Sequence, residues 1–355
     1  MAARYVHQGH GSRLTIGFGG DISLSGVLDQ CLPNSIPDRE SEAAAARARQ
    51  RHPLLQRGMR TAEVWGDCVA MLQADLTLAA LASPLTTHQH RARRAGGGAR
   101  RAHPLNVEVL TDANVDFVAL AGEHAMDFQE EGLEDTQAAL EAVEIAHAGA
   151  GATLASAHLP AILSAVGRKV AVFSISFAGS GIHDAAGRDM WAARARRSGI
   201  ALYELADDAD EALLDLKDAV TNARAANRDP LVVISVCWGR PNARSLDASA
   251  AQRSFARSLI EMVGADVVHG HGAGHIQGVE LHRGRPIMYS CGTLASEGCV
   301  LGGPRDGTRD EVSLFFVLHL NGLNQMEWLQ VGCQRCARAP PTRRSPVSTT
   351  AAAAP

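Results

Sequence analysis

The sequence has little of what marks membrane, exported or nucleic-acid-binding proteins. It contains no apolar run of about 18 residues, so we expect no membrane span in this chain. Residues 1–12 lack the apolar core of a signal peptide, and we therefore expect a cytoplasmic protein. The formal net charge is only −4, from 34 basic and 38 acidic residues, so no nucleic-acid partner is indicated.

Lysine and cysteine are scarce as well. Lys169 and Lys217 are the only lysines among 34 basic residues, a bias that we attribute to coding preference and not to a binding surface. The seven cysteines are scattered over 355 residues and odd in number. This usage is typical of reduced thiols in a cytosol-like compartment.

Short apolar runs alternate with segments of helical spacing. With 46% apolar residues, the chain can bury a large core, and the alternation predicts an α/β fold. The strand candidates are 14–18, 74–81, 115–121, 169–177, 231–236 and 265–268. Residues 1–12 are predicted to be an N-terminal extension, and the low-complexity tail 333–355 is predicted to be disordered.

Three histidines follow the last of these strand candidates on a glycine-rich stretch. His269, His271 and His275 are separated by small residues that allow tight turns, so their imidazoles could converge. Imidazole binds zinc, iron and manganese and serves as a general acid or base near neutral pH. A lone His-x-His is more often a pair of ordinary residues at a strand end, and that alternative stays open here.

Four further segments accompany the histidines in a fixed order. They are Gly-Gly-Asp at 19–21, Gly-Glu-His at 122–124 with Asp127, Cys-Trp-Gly at 237–239 and a hairpin-like segment at 283–292. In order and spacing, the set resembles the CapA-type poly-γ-glutamate capsule synthesis family, whose members are similar to metallophosphatases. The resemblance runs from about 14 to 331. It implies one domain, at 13–332, with a four-layer α/β/β/α sandwich.

The resemblance also implies a site that holds a divalent metal ion such as Zn, Mn or Fe. The positions that match metal-side residues are Asp21, Glu123, Cys237, His269, His271 and His275. His124 would be the acid–base catalyst and Asp127 its support. Arg101 and Glu280 would contact the substrate, which the resemblance implies is an anionic small molecule or polymer. On the residues alone, Asp21 could equally cap a helix.

Several positions depart from the pattern of the family, among them Gly122 and Glu123, which stand in place of two asparagines. Ala80 and Ala82 stand where an Asn-Leu-Glu segment has its asparagine and glutamate, and a methyl group cannot coordinate a cation. Cys237 replaces a histidine; its thiolate could bind zinc, or the side chain could simply fill the core. Two functions therefore stay open. One is a metal-dependent hydrolase linked to poly-γ-glutamate, and the other is a catalytically degenerate member that binds or scaffolds.

Overall fold

Two β-sheets lie at the centre of the computed structural model. The structure describes residues 13–51, 53–70, 72–92, 98–178, 191–204, 209–239, 246–301, 312–335 and 348–352. The first sheet contains β1 (Leu14–Ile22), β2 (Leu76–Leu81), β3 (Phe117–Ala119), β4 (Ala146–Ala148), β14 (Thr293–Ala295), β15 (Val312–Leu320), β16 (Met326–Arg335) and β17 (Ser348–Ala352). Its order is β17-β16-β15-β1-β2-β3-β4, with β14 beside β1.

The second sheet contains the strands of the middle of the chain. They are β6 (Ala161–Ala165), β7 (Arg168–Ala178), β9 (Leu202–Glu204), β10 (Leu231–Cys237), β11 (Val267–His271), β12 (Val279–His282) and β13 (Arg285–Met288). Their order is β12-β13-β11-β10-β7-β6, with β9 beside β7. A separate two-stranded ribbon pairs β5 (Ala150–Gly151) with β8 (Gly199–Ile200).

Helices cover the outer face of each sheet. They are α1 (Val27–Cys31), α2 (Arg39–Arg51), α3 (Pro53–Gln56), α4 (Glu108–Asp112), α5 (Gln129–Ala142), α6 (Leu154–Ala157), α7 (Ala209–Ala226), α8 (Ala250–Ser258) and α9 (Glu297–Leu301). In the described residues, none of the helices combines the length and the apolar composition that a membrane crossing needs.

Alternation along the central strands explains the layering. Side chains of a strand point to opposite faces in turn, so an entirely apolar strand can be buried on both sides. In β10, Val233 packs with Phe18 in the core between the sheets, while Ile234 packs with Phe255 in the core under the helices. A third core joins the first sheet to its own helices, as where Val118 packs with Leu140. The predicted four-layer α/β/β/α sandwich is confirmed.

The strand directions bring the candidate site residues to one edge. Within the first sheet, β1, β2, β3 and β4 run parallel. Within the second sheet, β7, β10, β11 and β13 run parallel. Asp21 lies near the carboxyl end of β1, and Cys237 and His271 end β10 and β11 as paired residues. The carboxyl ends of parallel strands are where open α/β sheets bind ligands.

Two expectations need correction. Residues 333–335 continue β16, and β17 pairs with β16 through backbone hydrogen bonds, whereas the whole of 333–355 was predicted to be disordered. Strands at a sheet edge pair through their backbones and need no alternating apolar side chains, so the composition of the tail did not reveal β17. Residues 336–347 and 353–355 lie outside the described residues. Cys299 is disulfide-bonded, so the prediction of reduced thiols is wrong for that residue. Cys31, Cys237 and Cys291 are free.

Candidate functional site

Asp21 connects the end of β1 to the glycine-rich stretch after β11. The backbone N–H of Gly272 donates to both carboxylate oxygens of Asp21, at 3.1 Å each. Asp21 is 8% exposed, so these bonds stabilise a carboxylate that is largely removed from water. Gly272 has a φ of +86°, and a Cβ there would lie 2.6 Å from the sulfur of Cys237. Glycine is therefore required at this turn by both conformation and space.

His271 lies between Asp21 and Cys237. Its Nδ1 is 3.6 Å from Asp21 Oδ1, and the residue is buried. Burial disfavours the charged ring, but the interactions with Asp21 and Cys237 outweigh burial and raise the pKa of His271 to about 9. The charged form of His271 is therefore favoured by its partners. Its Nε2 is buried and has no hydrogen-bond partner within the described part of the chain.

His269 is held by the protein at both ring nitrogens. Its Nε2 lies 2.8 Å from the carbonyl oxygen of Gly19, which can only accept, so Nε2 carries the proton. Nδ1 lies 3.1 Å from the Ser235 hydroxyl and accepts from it. Burial, aided by the charge of His271, lowers the pKa of His269 to about 3, so the ring is neutral. Neither nitrogen has a free lone pair in this arrangement, and the predicted role of His269 as a metal ligand stays a prediction.

His275 is buried in the turn beyond Gly272. Its Nδ1 donates to the carbonyl oxygen of Ala273 at 3.0 Å, and its own carbonyl accepts from the Ser290 hydroxyl at 2.7 Å. These contacts are local to the turn and to the segment that follows β13. The position supports a role of His275 in holding the turn, and its predicted role as a metal ligand stays a prediction.

His124 and Asp127 form a second polar group, in the turn after β3. His124 Nδ1 lies 2.8 Å from Asp127 Oδ2, and His124 Nε2 lies 3.3 Å from Glu123 Oε1. Burial alone would lower the pKa of His124, but the bonds to Asp127 and Glu123 outweigh it and raise the pKa. Glu123 thus pairs with His124. Since a charged imidazole can donate a proton, the group suits the predicted acid–base role.

A cavity of about 280 Å³ opens between the turn after β1 and the loop that carries Arg101. Its lining includes Ser25, Asp29, Asp38, Arg91, Arg100 and Arg101. The guanidinium of Arg101 stacks 4.7 Å from the ring centroid of Phe128 and donates to the carbonyl oxygen of His88. The backbone N–H of Arg100 donates to Asp127 at 2.8 Å, which links this cavity to the His124 group.

Glu280 lies apart from these groups. Its carboxylate accepts from Arg257 at 2.7 Å and from the Tyr289 hydroxyl at 2.9 Å. Arg257 belongs to α8, and Tyr289 belongs to the core between the second sheet and its helices. The structure therefore directs Glu280 towards α8, and its predicted substrate role has no support from these contacts.

Comparison with known proteins identifies the family. Residues 15–297 match the family described as bacterial capsule synthesis protein PGA_cap. This chain belongs to the PGA_cap family. Two strains of Mycobacterium tuberculosis each have a relative named probable polyglutamine synthesis accessory protein. Each is 32% identical over 321 residues, which is 86% of this chain and 80% of the relative.

A further PGA_cap relative is the PGA biosynthesis protein CapA of Bacillus subtilis. It is 26% identical over 238 residues, or 66% of this chain and 55% of that protein. A solved structure described as a novel phosphatase from Mycoplasma pneumoniae has a TM-score of 0.46. It is 11% identical and covers 92% of this chain and 95% of its own.

The residues present do not form the metal site that the PGA_cap resemblance implies. Among the described residues, no group of three or more His, Cys, Asp and Glu side chains could hold a metal ion. Ala80 is paired with Asp21 across β1 and β2, so a methyl group occupies the strand position next to this carboxylate. Too few potential ligand atoms lie around the unpartnered Nε2 of His271 to hold a metal ion among the described residues. The predicted set of ligands is therefore not assembled.

Two contributors were missed by sequence reasoning. Ser235, which orients His269, is the one hydroxyl within an otherwise apolar strand, and that isolated polar residue was an available signal. Asp29 is buried and accepts from the backbone N–H groups of Ile36 and His103 at 2.8 Å each. Asp29 has no comparable signal in the sequence, because its hydrogen-bond partners lie up to 77 positions away.

Proposed function

We propose that this chain is an accessory protein of anionic poly-amino-acid synthesis, of the poly-γ-glutamate type. In this proposal it binds the polymer at the carboxyl edge of its two sheets and does not cleave it with a metal ion. The names of the curated relatives support a role in making such a polymer. The observation that carries the binding role is the cavity beside Asp127, with arginines at 91, 100 and 101.

The ligand chemistry follows from the arginines. A guanidinium binds carboxylates through paired, charge-assisted hydrogen bonds, and its charge persists at every physiological pH. Arg100 lines the cavity, its guanidinium forms no ion pair with any described residue, and its charge acts to lower the pKa of His124, so a carboxylate of the polymer can meet it here. The volume of the cavity lies just below the usual range of small-molecule sites, about 300–1,000 Å³. It suits one or two glutamyl units.

The chemistry at Asp21 and His271 favours binding over metal-dependent turnover. His269 has protein partners at both nitrogens, and Ala80 occupies the position beside Asp21. The remaining pair, Asp21 and His271, forms an internal carboxylate–imidazolium contact. We interpret this contact as a structural link between the two sheets.

Calorimetric titration with poly-γ-glutamate tests the binding role. The wild type should bind, and Arg91→Gln should weaken binding about tenfold, since one charge-assisted contact is lost. Arg13→Gln is the matched control, because Arg13 is exposed at the amino end of β1 and pairs with Glu327; it should change affinity less than about twofold. Absence of binding by the wild type, or equal loss in both variants, would contradict the proposal.

A second function, hydrolysis of the polymer, is favoured by the His124–Asp127 pair. The raised pKa of His124 suits a general acid, and such help contributes about 10²–10⁴-fold in rate. Size-exclusion chromatography of the polymer after incubation with the protein separates the two functions. Chains of unchanged length support the accessory role. Shortened chains, with shortening lost in His124→Gln, would establish the hydrolase instead.

A further inference from the structure

The cavity is lined by charges of both signs. The three arginines, Arg91, Arg100 and Arg101, form what we call the arginine wall. Other segments, which include α1, the start of α2 and the start of α9, contribute four carboxylates, which we call the carboxylate wall: Asp29, Asp38, Glu40 and Glu297. A cavity meant for anions alone would not be lined by four carboxylates, because each of them repels an anionic ligand.

The carboxylates compensate the arginine wall only in part. Burial and the charge of Arg91 lower the pKa of Arg101, and the opposing charges of Asp38 and Asp29 do not cancel this shift. Arg91 meets Asp38 only at 3.8 Å, near the limit of an ion pair. Among the described residues, Arg100 has no ion pair. A ligand carboxylate placed here would relieve the repulsion between guanidiniums and gain charge-assisted hydrogen bonds.

The carboxylate wall has its own capacity for a cation. Asp38 accepts from the hydroxyl and the backbone N–H of Ser41, and these bonds lower its pKa, so it stays ionised. Glu40 lies exposed in the first turn of α2, and its carboxylate accepts no hydrogen bond from the described residues. Glu297 accepts from the backbone N–H of Val27 at 2.9 Å through one oxygen. An ammonium group would find carboxylate acceptors at Asp38 and Glu40.

We infer, on the basis of the proposed function, that the cavity binds the amino-terminal glutamyl unit of the polymer. That unit carries a free ammonium and a carboxylate on one carbon atom, so it can meet both walls at once. An interior γ-linked unit has an amide in place of the ammonium. Its carboxylate would meet the arginine wall while the carboxylate wall stayed unpaired and repulsive. The protein therefore recognises a chain end.

The test uses a γ-linked glutamyl trimer, with its amino end free or acetylated, titrated into the full chain in the presence of a chelator. The free trimer should bind about tenfold tighter than the acetylated one, because acetylation removes the ammonium. Glu40→Gln should abolish this preference. Glu42→Gln, on the same helix turn but outside the cavity lining, is the matched control and should preserve the preference.

The arginine wall is tested separately. Arg91→Gln should weaken both trimers about tenfold, whereas Arg39→Gln, a nearby exposed arginine outside the lining, should weaken them less than about twofold. Arg91 is half-exposed, so this variant should fold normally, which circular dichroism verifies. If Arg39→Gln also lost affinity by a large factor, binding would depend on the overall positive charge of this surface, and the specific site would be overturned.

The outcomes separate this inference from the proposed function. Equal affinity for the two trimers overturns chain-end recognition but leaves polymer binding intact. Binding of free glutamate without binding of the trimer also overturns it, since the site would then take the monomer. Failure of the trimers and of the long polymer alike would overturn both the inference and the proposed function.

Discussion

Replacing His269 with alanine distinguishes a structural histidine from a metal ligand. The side chain is completely buried and bonds to the carbonyl of Gly19 and the hydroxyl of Ser235. Each buried partner left unsatisfied costs about 1–3 kcal/mol. The vacated volume adds a further cost because the surroundings relax only in part. We expect His269→Ala to lower the free energy of unfolding by about 3–5 kcal/mol.

Urea unfolding with and without a chelator is the assay. If His269 is structural, the loss is the same in both conditions, and the chelator leaves the wild type unchanged. Ser235→Ala should cost about 1 kcal/mol by itself, and the double variant should cost less than the sum, because the two residues share one bond. The reasoning is refuted if the chelator destabilises the wild type by several kcal/mol and removes the effect of His269→Ala.

The pH dependence of stability checks the same histidine. The pKa of His269 in the folded protein is about 3, below its ordinary value of 6.5. The unfolded chain therefore binds the proton first, and stability falls as the pH drops below about 6.5, by up to ~1.4 kcal/mol per pH unit. A neutral His269 ring at pH 5, observed by ¹⁵N NMR, would support this, and a charged ring would contradict it.

Three further predictions concern the residues around Asp21. The pKa of His271 is raised to about 9, so its charged ring stabilises the folded protein fully below about pH 6.5 and this contribution is lost as the pH rises towards 9. Urea unfolding at pH 7–10 should therefore show a falling free energy of unfolding. Gly272→Ala should lower the free energy of unfolding by more than about 1 kcal/mol, since φ is +86° and the new Cβ meets Cys237; an unchanged urea midpoint would refute this. A triple variant, Ala80→Asn with Ala82→Glu and Cys237→His, should bind more zinc or manganese than the wild type, as measured by elemental analysis. An unchanged metal content would show that these positions do not limit metal binding.

The layering was predictable because the signal is local. β10, apolar apart from Ser235 and with Val233 and Ile234 on opposite faces, already requires a layer on each side. The convergence of His269 and His271 was also predictable, since residues two apart on a strand share a face.

The chemistry of each histidine was not predictable in the same way. His269 is neutral because burial and the neighbouring His271 lower its pKa, and its Nε2 meets a carbonyl 250 positions away in the other sheet. His271, two residues on, is charged because Asp21 arrives from that same distant strand. Nothing local distinguishes the two rings. The pairing of β17 with β16 likewise depends on backbone groups, which the side-chain pattern does not report.

The central claim is that this member of the PGA_cap family binds an anionic poly-amino acid without a metal ion. Calorimetric titration of poly-γ-glutamate into the wild-type protein, once after chelator treatment and once with zinc or manganese added, tests it most directly. We predict the same affinity in both conditions, within about twofold. Binding that appears only when metal is added would contradict the claim.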